Sequence, residues 1–401
     1  MANPEHLALI NQGVEVWNAW YKKHKRVIPD LSRANLSNLN LSGVNLKKAN
    51  LNQANFSRAD LSKSMLVNAD LGGANLLGAN LNDANLKGAN LDFVIFSQAI
   101  INRQTTISIN YLIVYKIVNH KFDQKDFSNI DLSNSNLFRT DLSEADFSNT
   151  KLINVNFNSA NLNDAYLYKA DLTGANFENA DLRNAYFSHA NLTSAYLGSA
   201  LCCGTYFKDA ELKFANLKTA KISHKTIIDS KWYCVWDIVN RGAAKKNLSG
   251  VDLTNANLQG VNFEEANLTN AKLNHAILRH SNFINANLTN TVLVGANLCG
   301  VDLQQAHLKG TNLKSVISDR HTQLSTSKFR DKDSLAVSEK AVTSTVSSKI
   351  QADQSNQSKS SKNQSTIIMF LVILVSIFGA GYFLIVENLD YFSKDQLEFW
   401  K

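Results

Sequence analysis

Two prolines and 17 glycines among 401 residues are too few for a collagen-like or proline-rich filament. The four cysteines include no CxxC pair, which removes a disulfide framework and a cysteine-based metal cluster. No P-loop, GxGxxG run or serine elbow occurs, so the usual sequence marks of nucleotide binding and acyl transfer are missing. The N-terminus has no basic start followed by an apolar run, so no secretory signal peptide is expected.

What is abundant is asparagine, with 50 copies, although asparagine is a poor residue for helix and strand interiors alike. Its placement follows a period of five. From Leu31 to Ile101 an apolar residue falls at nearly every fifth position, preceded by Asn or Asp and, two before, by a small residue, as in ANLNDANLKGANL. Further blocks run from Phe127 to Ile222 and from Leu248 to Leu313, giving 15, 20 and 14 centres. Five matches neither the helical period of 3.6 nor the strand period of 2, so the chain must turn every five residues to send all centres to one core. Asn, Asp, Ser and Gly suit such corners.

These A(D/N)LXX repeats make the sequence resemble the pentapeptide repeat family, over all three blocks, with insert modules most like those of cyanobacterial members. The resemblance implies an all-β solenoid, a right-handed quadrilateral β-helix with four repeats per coil and residues twenty apart stacked. Forty-nine repeats then make about twelve coils, a rod about 60 Å long at roughly 4.8 Å per coil.

The organisation follows from where the repeat stops. Residues 1–28 form an N-terminal capping helix, with Asn3 as cap, Pro4 in the first turn and a stripe of Leu7, Ile10, Val14, Trp17 and Tyr21. Repeat blocks occupy 29–101, 127–222 and 248–317. Between them, the inserts 102–126 and 223–247 are copies of each other at a constant offset of 121 residues. Each carries a helix, started by Ser108 or Asp229, with the stripe Tyr111, Val114, Tyr115, Val118 or Trp232, Val235, Trp236, Val239. These stripes are expected to lie on the outside of the solenoid, buried against it or offered to a partner. Both inserts are expected on the same side of the rod. The start of a third copy, at Ile317, Ser318 and Thr322, marks the end of the repeats.

Residues 318–366 are rich in Ser, Thr, Lys and Gln and read as a flexible polar linker. Residues 367–386 are twenty without a charge, long enough at 1.5 Å per residue to cross a bilayer, and they read as a single transmembrane helix before a tail at 387–401. With no signal ahead of it, the solenoid is expected on the cytoplasmic side of a tail-anchored protein.

The formal net charge of +7 sits in the N-terminal helix, the inserts and the linker, while the repeat blocks are nearly balanced. No basic stripe follows the rod, so no nucleic acid is expected as partner. Some pentapeptide repeat proteins are acidic mimics of duplex DNA that occupy a topoisomerase; that alternative needs a rod more acidic than this one. No catalytic residue, cofactor, small-molecule substrate or metal is expected: His275 and His280 fall on successive faces, and Glu264 and Glu265 at a corner. The reading is a non-enzymatic, membrane-tethered scaffold for a protein partner. Candidate contact residues are Tyr166, Tyr186 and Tyr206, stacked on one face, with Trp232 and Trp236 of the second insert. Tyr196 falls on the opposite face.

Overall fold

A computed structural model describes residues 1–323 apart from residue 123. The transmembrane and tail expectations, and all but the first six residues of the linker, lie outside the described residues. Among those described, no helix is long and apolar enough to cross a membrane.

The five-residue period closes into a four-faced solenoid. Parallel bridges join each outward residue to the one twenty further on, from Asp30 with Asn50 to Asn80 with Ile100. We call the faces 1 to 4 in the order of Leu31, Leu36, Leu41 and Leu46, whose side chains all point into the core and are buried. On each face one residue does the work of a strand. The Leu31 N–H donates forward to the Asn50 carbonyl at 2.9 Å, and the Asn50 N–H donates back to the Pro29 carbonyl at 2.8 Å. Stacking at this spacing brings like side chains together, as in the phenylalanine pairs Phe157 with Phe177 at 5.1 Å and Phe263 with Phe283 at 4.9 Å between ring centroids. Where Thr replaces the small residue, as at Thr205 and Thr291, its hydroxyl donates to the Leu182 or Leu268 carbonyl at 2.6 and 2.7 Å, so no buried donor is left unpaired there.

The outward Asn or Asp also holds the corner. Asp30 Oδ1 accepts the Ser32 N–H at 3.0 Å and Asp60 Oδ1 accepts the Ser62 N–H at 2.9 Å. The next residue then takes a positive φ, 58° at Arg33 and 59° at Asn38, a conformation that L-residues reach only with local support. Some corners have no room for a side chain: a Cβ on Gly88 would overlap Asn68 Oδ1, and one on Gly174 would overlap Asn154 Oδ1.

The N-terminal cap is two helices and not the single one expected: α1 (Pro4–Asn11) and α2 (Val14–Lys23). They part at Gly13, whose φ of 111° no helix can contain. Asn3 caps α1, accepting the Glu5 and His6 N–H groups. The cap then satisfies the open edge of the first coil. Trp17 Nε1 donates to the Asn45 carbonyl at 2.8 Å, Asn18 Oδ1 accepts the Asn45 N–H at 2.8 Å, and His6 Nδ1 accepts the Asp30 N–H at 3.0 Å. These contacts cover face 4 and face 1, where unpaired strand groups otherwise invite another chain.

Each insert begins with one extra residue on face 4, so that Asn85 bridges Thr106 and Tyr206 bridges Ile227 at offsets of 21. There follow α3 (Ile109–Val118) and α4 (Ser230–Arg241). Neither Ser108 nor Asp229 makes a side-chain capping bond. Beyond each helix the repeat resumes on face 4 at Phe127 and Leu248. On face 1 the two blocks touch directly, Phe93 N–H donating to the Asn134 carbonyl at 2.7 Å and Phe214 N–H to the Asn255 carbonyl at 2.8 Å. On face 2 the helix end stands between them: Asn119 donates to the Phe96 carbonyl at 3.1 Å and accepts the Gln98 N–H at 2.7 Å, and Asn240 does the same to Leu217 and Thr219 at 3.0 and 2.6 Å. Each helix therefore takes the place of one coil's repeats as a wedge, closed on face 1 and open on face 2, and both wedges sit alike. This corrects the expectation that the stripes lie on the outside. Val114, Tyr115 and Ile117, and likewise Trp232, Val235, Trp236 and Ile238, belong to the continuous core of the rod. The third copy of the insert start is also present, with Thr322 Oγ1 donating to the Leu298 carbonyl at 3.0 Å as Thr105 does to Leu81 at 2.9 Å.

Candidate functional site: an aromatic strip on face 4

The outward position on face 4 is filled in the middle block by Asp146, Tyr166, Tyr186 and Tyr206 in unbroken bridge register, and the ladder ends on Ile227. β-branched and aromatic residues favour such half-buried strand positions, and stacked neighbours support one another. The Tyr186 and Tyr206 rings lie parallel, 4.6 Å apart and 13° from coplanar. Tyr166 stands free of that stack at 55% exposure, and Ile227 is 47% exposed. At the adjoining corner Tyr168 meets His189 edge to face at 5.7 Å, with Lys169 Nζ 5.1 Å from the Tyr168 ring centre. Lys208 closes the strip's end, ion-paired with Asp229 at 2.8 Å and Asp209 at 3.2 Å. The result is a flat apolar surface with a polar margin. Tyr196 sits on face 2 between Asn176 and Asn216, a lone ring.

The expected contact residues thus divide. Tyr166, Tyr186 and Tyr206 come together on one face. Trp232 and Trp236 do not join them: they are 6% and 8% exposed, and Trp236 Nε1 is spent on the Ala220 carbonyl at 2.8 Å. Their helical spacing looked the same whether the stripe faced a partner or the next coil, and the core claimed it. Ile227 and the Tyr168–His189 pair went unnoticed in the sequence. The extra residue before Ile227 breaks the count of twenty, and only the offset of 121 to Thr106 could have restored it.

Elsewhere the groups shifted most by burial are structural. Asp92, half-buried between the Tyr111 hydroxyl at 2.7 Å and Asn134 Nδ2 at 3.2 Å, has its pKa raised chiefly by burial. Burial likewise lifts the Tyr111 phenol and the Cys202 thiol far above their ordinary values. No cluster of three or more metal-ligating side chains exists among the described residues.

Against known proteins, the profile of pentapeptide repeats matches eight times, over residues 30–66, 64–103, 122–152, 151–188, 160–198, 185–223, 247–283 and 281–317. The chain belongs to the pentapeptide repeat family. Solved structures of family members include HetL, a pentapeptide repeat protein involved in heterocyst differentiation regulation from the cyanobacterium Nostoc, 23% identical over 78% of this chain and 99% of its own, with a TM-score of 0.18. A pentapeptide repeat protein from the thylakoid lumen of Arabidopsis thaliana is 32% identical over 27% of this chain and 76% of its own, with a TM-score of 0.22. QnrB1, a plasmid-mediated fluoroquinolone resistance protein, is 21% identical over 50% of this chain and 89% of its own, with a TM-score of 0.20. No curated protein matches the chain. No enzymatic family is indicated.

Proposed function

We propose that this pentapeptide repeat protein is a non-enzymatic scaffold, tethered to a membrane by residues 367–386 with its solenoid on the cytoplasmic side, and that it docks a protein partner along face 4. The observation that carries the reading is the strip itself: three tyrosines and an isoleucine in register on a rod whose other outward positions are mostly Asn, Asp and Lys. Apolar area presented on a rigid, flat face suits protein association, with tyrosine supplying contact area at little entropic cost. The uncharged run of twenty residues after a polar linker supports the tether.

The test is a pull-down with the full-length chain, comparing it with the triple variant Tyr166→Ser, Tyr186→Ser, Tyr206→Ser. We expect a partner enriched by the native chain to fall at least tenfold with the variant; equal recovery would refute the strip. A second arm truncates the chain after Thr366. Release from the membrane fraction is expected, and a truncated chain that still pellets with membrane would refute the tether.

A further inference from the structure

The cap end of the rod carries a cluster of cations that make no ion pair among the described residues. Lys22, Lys25 and Lys47 line one shallow cleft of about 430 Å³ together with Asn18, Tyr21, Asn45 and Met65. Lys23, Arg26 and Lys48 are exposed beside them in the chain. None of these six is in an ion pair among the described residues, where the eight pairs all lie between Asp181 and Glu265. The first 48 residues hold seven basic side chains against three acidic ones, Glu5, Glu15 and Asp30. Of these, Asp30 is occupied with the Ser32 N–H. Lys22 and Lys23, in the last turn of α2, also complement the helix dipole. That accounts for two of the six. Lys25 and Arg26 lie beyond the helix, and Lys47 and Lys48 come from the first coil, so the dipole does not explain why Lys22, Lys25 and Lys47 meet in one cleft.

The cations run directly into an exposed aliphatic tip. Val27 is 40% and Ile28 66% exposed, between Arg26 and the buried Pro29. We infer that this end of the rod is a docking surface for an anionic phospholipid bilayer, with Lys22, Lys25 and Lys47 over the headgroups and Val27 and Ile28 in the interface. The aliphatic tip selects that occupant. A free phosphate or a nucleic acid satisfies the lysines but leaves Ile28 in water, whereas a bilayer offers negative charge and an apolar phase within a few ångströms. Each basic residue at such a surface strengthens binding by about fivefold, screened by salt. This contact is separate from the proposed C-terminal tether.

The experiment is lysine footprinting. The full-length chain is mixed with neutral phosphatidylcholine vesicles, or with vesicles containing phosphatidylserine at 30 mol%, and exposed to an amine-acetylating reagent; each lysine is read by mass spectrometry. Association with neutral vesicles reports the tether; the difference between the two compositions reports the cap. We expect acetylation of Lys22, Lys25 and Lys47 to slow at least threefold with the anionic vesicles alone. Lys169 and Lys272 should be unchanged, and the protection should vanish in 0.5 M salt. Ile28→Ser should weaken the protection while leaving the fold intact by circular dichroism. Unchanged rates at the three lysines would overturn the proposal, as would equal protection by inorganic phosphate or by a duplex oligonucleotide without vesicles, or indifference to Ile28→Ser.

Discussion

The two wedges occupy equivalent places 121 residues apart, yet their side chains fasten them to the coil beneath by different chemistry. Asn119 and Asn240 are common to both. Each donates to a carbonyl of the coil below and to one of its own helix, Tyr115 at 2.8 Å or Trp236 at 2.9 Å, while accepting one N–H from below. The rest has diverged. α3 is tied by the Tyr111 hydroxyl to Asp92, and the Tyr115 hydroxyl accepts from Lys121 at 2.5 Å. In α4 the counterparts of Tyr111 and Tyr115 are Trp232 and Trp236, and the place of Asp92 is taken by Lys213, paired outward with Glu211 at 2.7 Å. α4 adds ion pairs from Asp237 to Lys246 at 2.6 Å and Arg241 at 3.3 Å. The asparagine fixes where a wedge sits; the aromatics fill what space remains, with whatever polar partner the lower coil provides.

Removing the ring at the centre of a wedge should do most. Trp236→Ala is expected to cost about 3–5 kcal/mol, through lost burial and the cavity left behind. In a solenoid that loss stays local, so hydrogen exchange should quicken in α4 and its flanking coils while α3 keeps its protection. Exchange that rises equally in both wedges would mean they are one cooperative unit. Next come Asn119→Ala and Asn240→Ala. Each strands polar backbone groups, for about 1–3 kcal/mol, and the two costs should agree within about 0.5 kcal/mol if the asparagine is the shared element. Phenylalanine separates the pair more finely: Trp236→Phe deprives the Ala220 carbonyl of its donor at about 1–2 kcal/mol, while Tyr115→Phe removes a bond to a lysine that water can replace, at less than about 1 kcal/mol.

The smallest difference is one of pH. The pKa of Asp92 is raised in the fold, chiefly by burial and further by Asp70 and Asp131, with the Tyr111 and Asn134 bonds opposing. A raised folded pKa means the proton stabilises the fold. That contribution is complete below the ordinary carboxylate value of about 3.9 and is lost as pH climbs through the raised value. Exchange at α3 amides, corrected for its intrinsic pH dependence, should therefore quicken relative to α4 over that window. Asp92→Asn should flatten the difference; a profile unchanged by the substitution would show that Asp92 does not set it.

The period of five was enough to name the buried centres, from Leu31 to Leu313, because each must reach one core from a chain that turns at every corner. The face shared by Tyr166, Tyr186 and Tyr206 was legible for the same reason. Besides Ile227 and the Tyr168–His189 pair, three things were not. The break at Gly13 was hidden because Ile10, Val14 and Trp17 keep helical spacing across it. The place of the wedges was hidden because an amphipathic stripe states what is buried and not against what. The joining of Lys47 to the basic run from Lys22 to Arg26 was hidden because Lys25 and Lys47, far apart in the chain, meet only when α2 lies across the first coil.

With four faces to the coil, the chain carries an angular ruler. Gaining or losing one repeat of five residues gives everything downstream a quarter turn: the tyrosine strip would swing from face 4 to a neighbouring side and the second wedge would leave the line of the first. Four repeats together change only the reach. Such a rod tolerates growth or shrinkage in whole coils, and a single misplaced repeat, harmless to its core, would aim its display in a new direction.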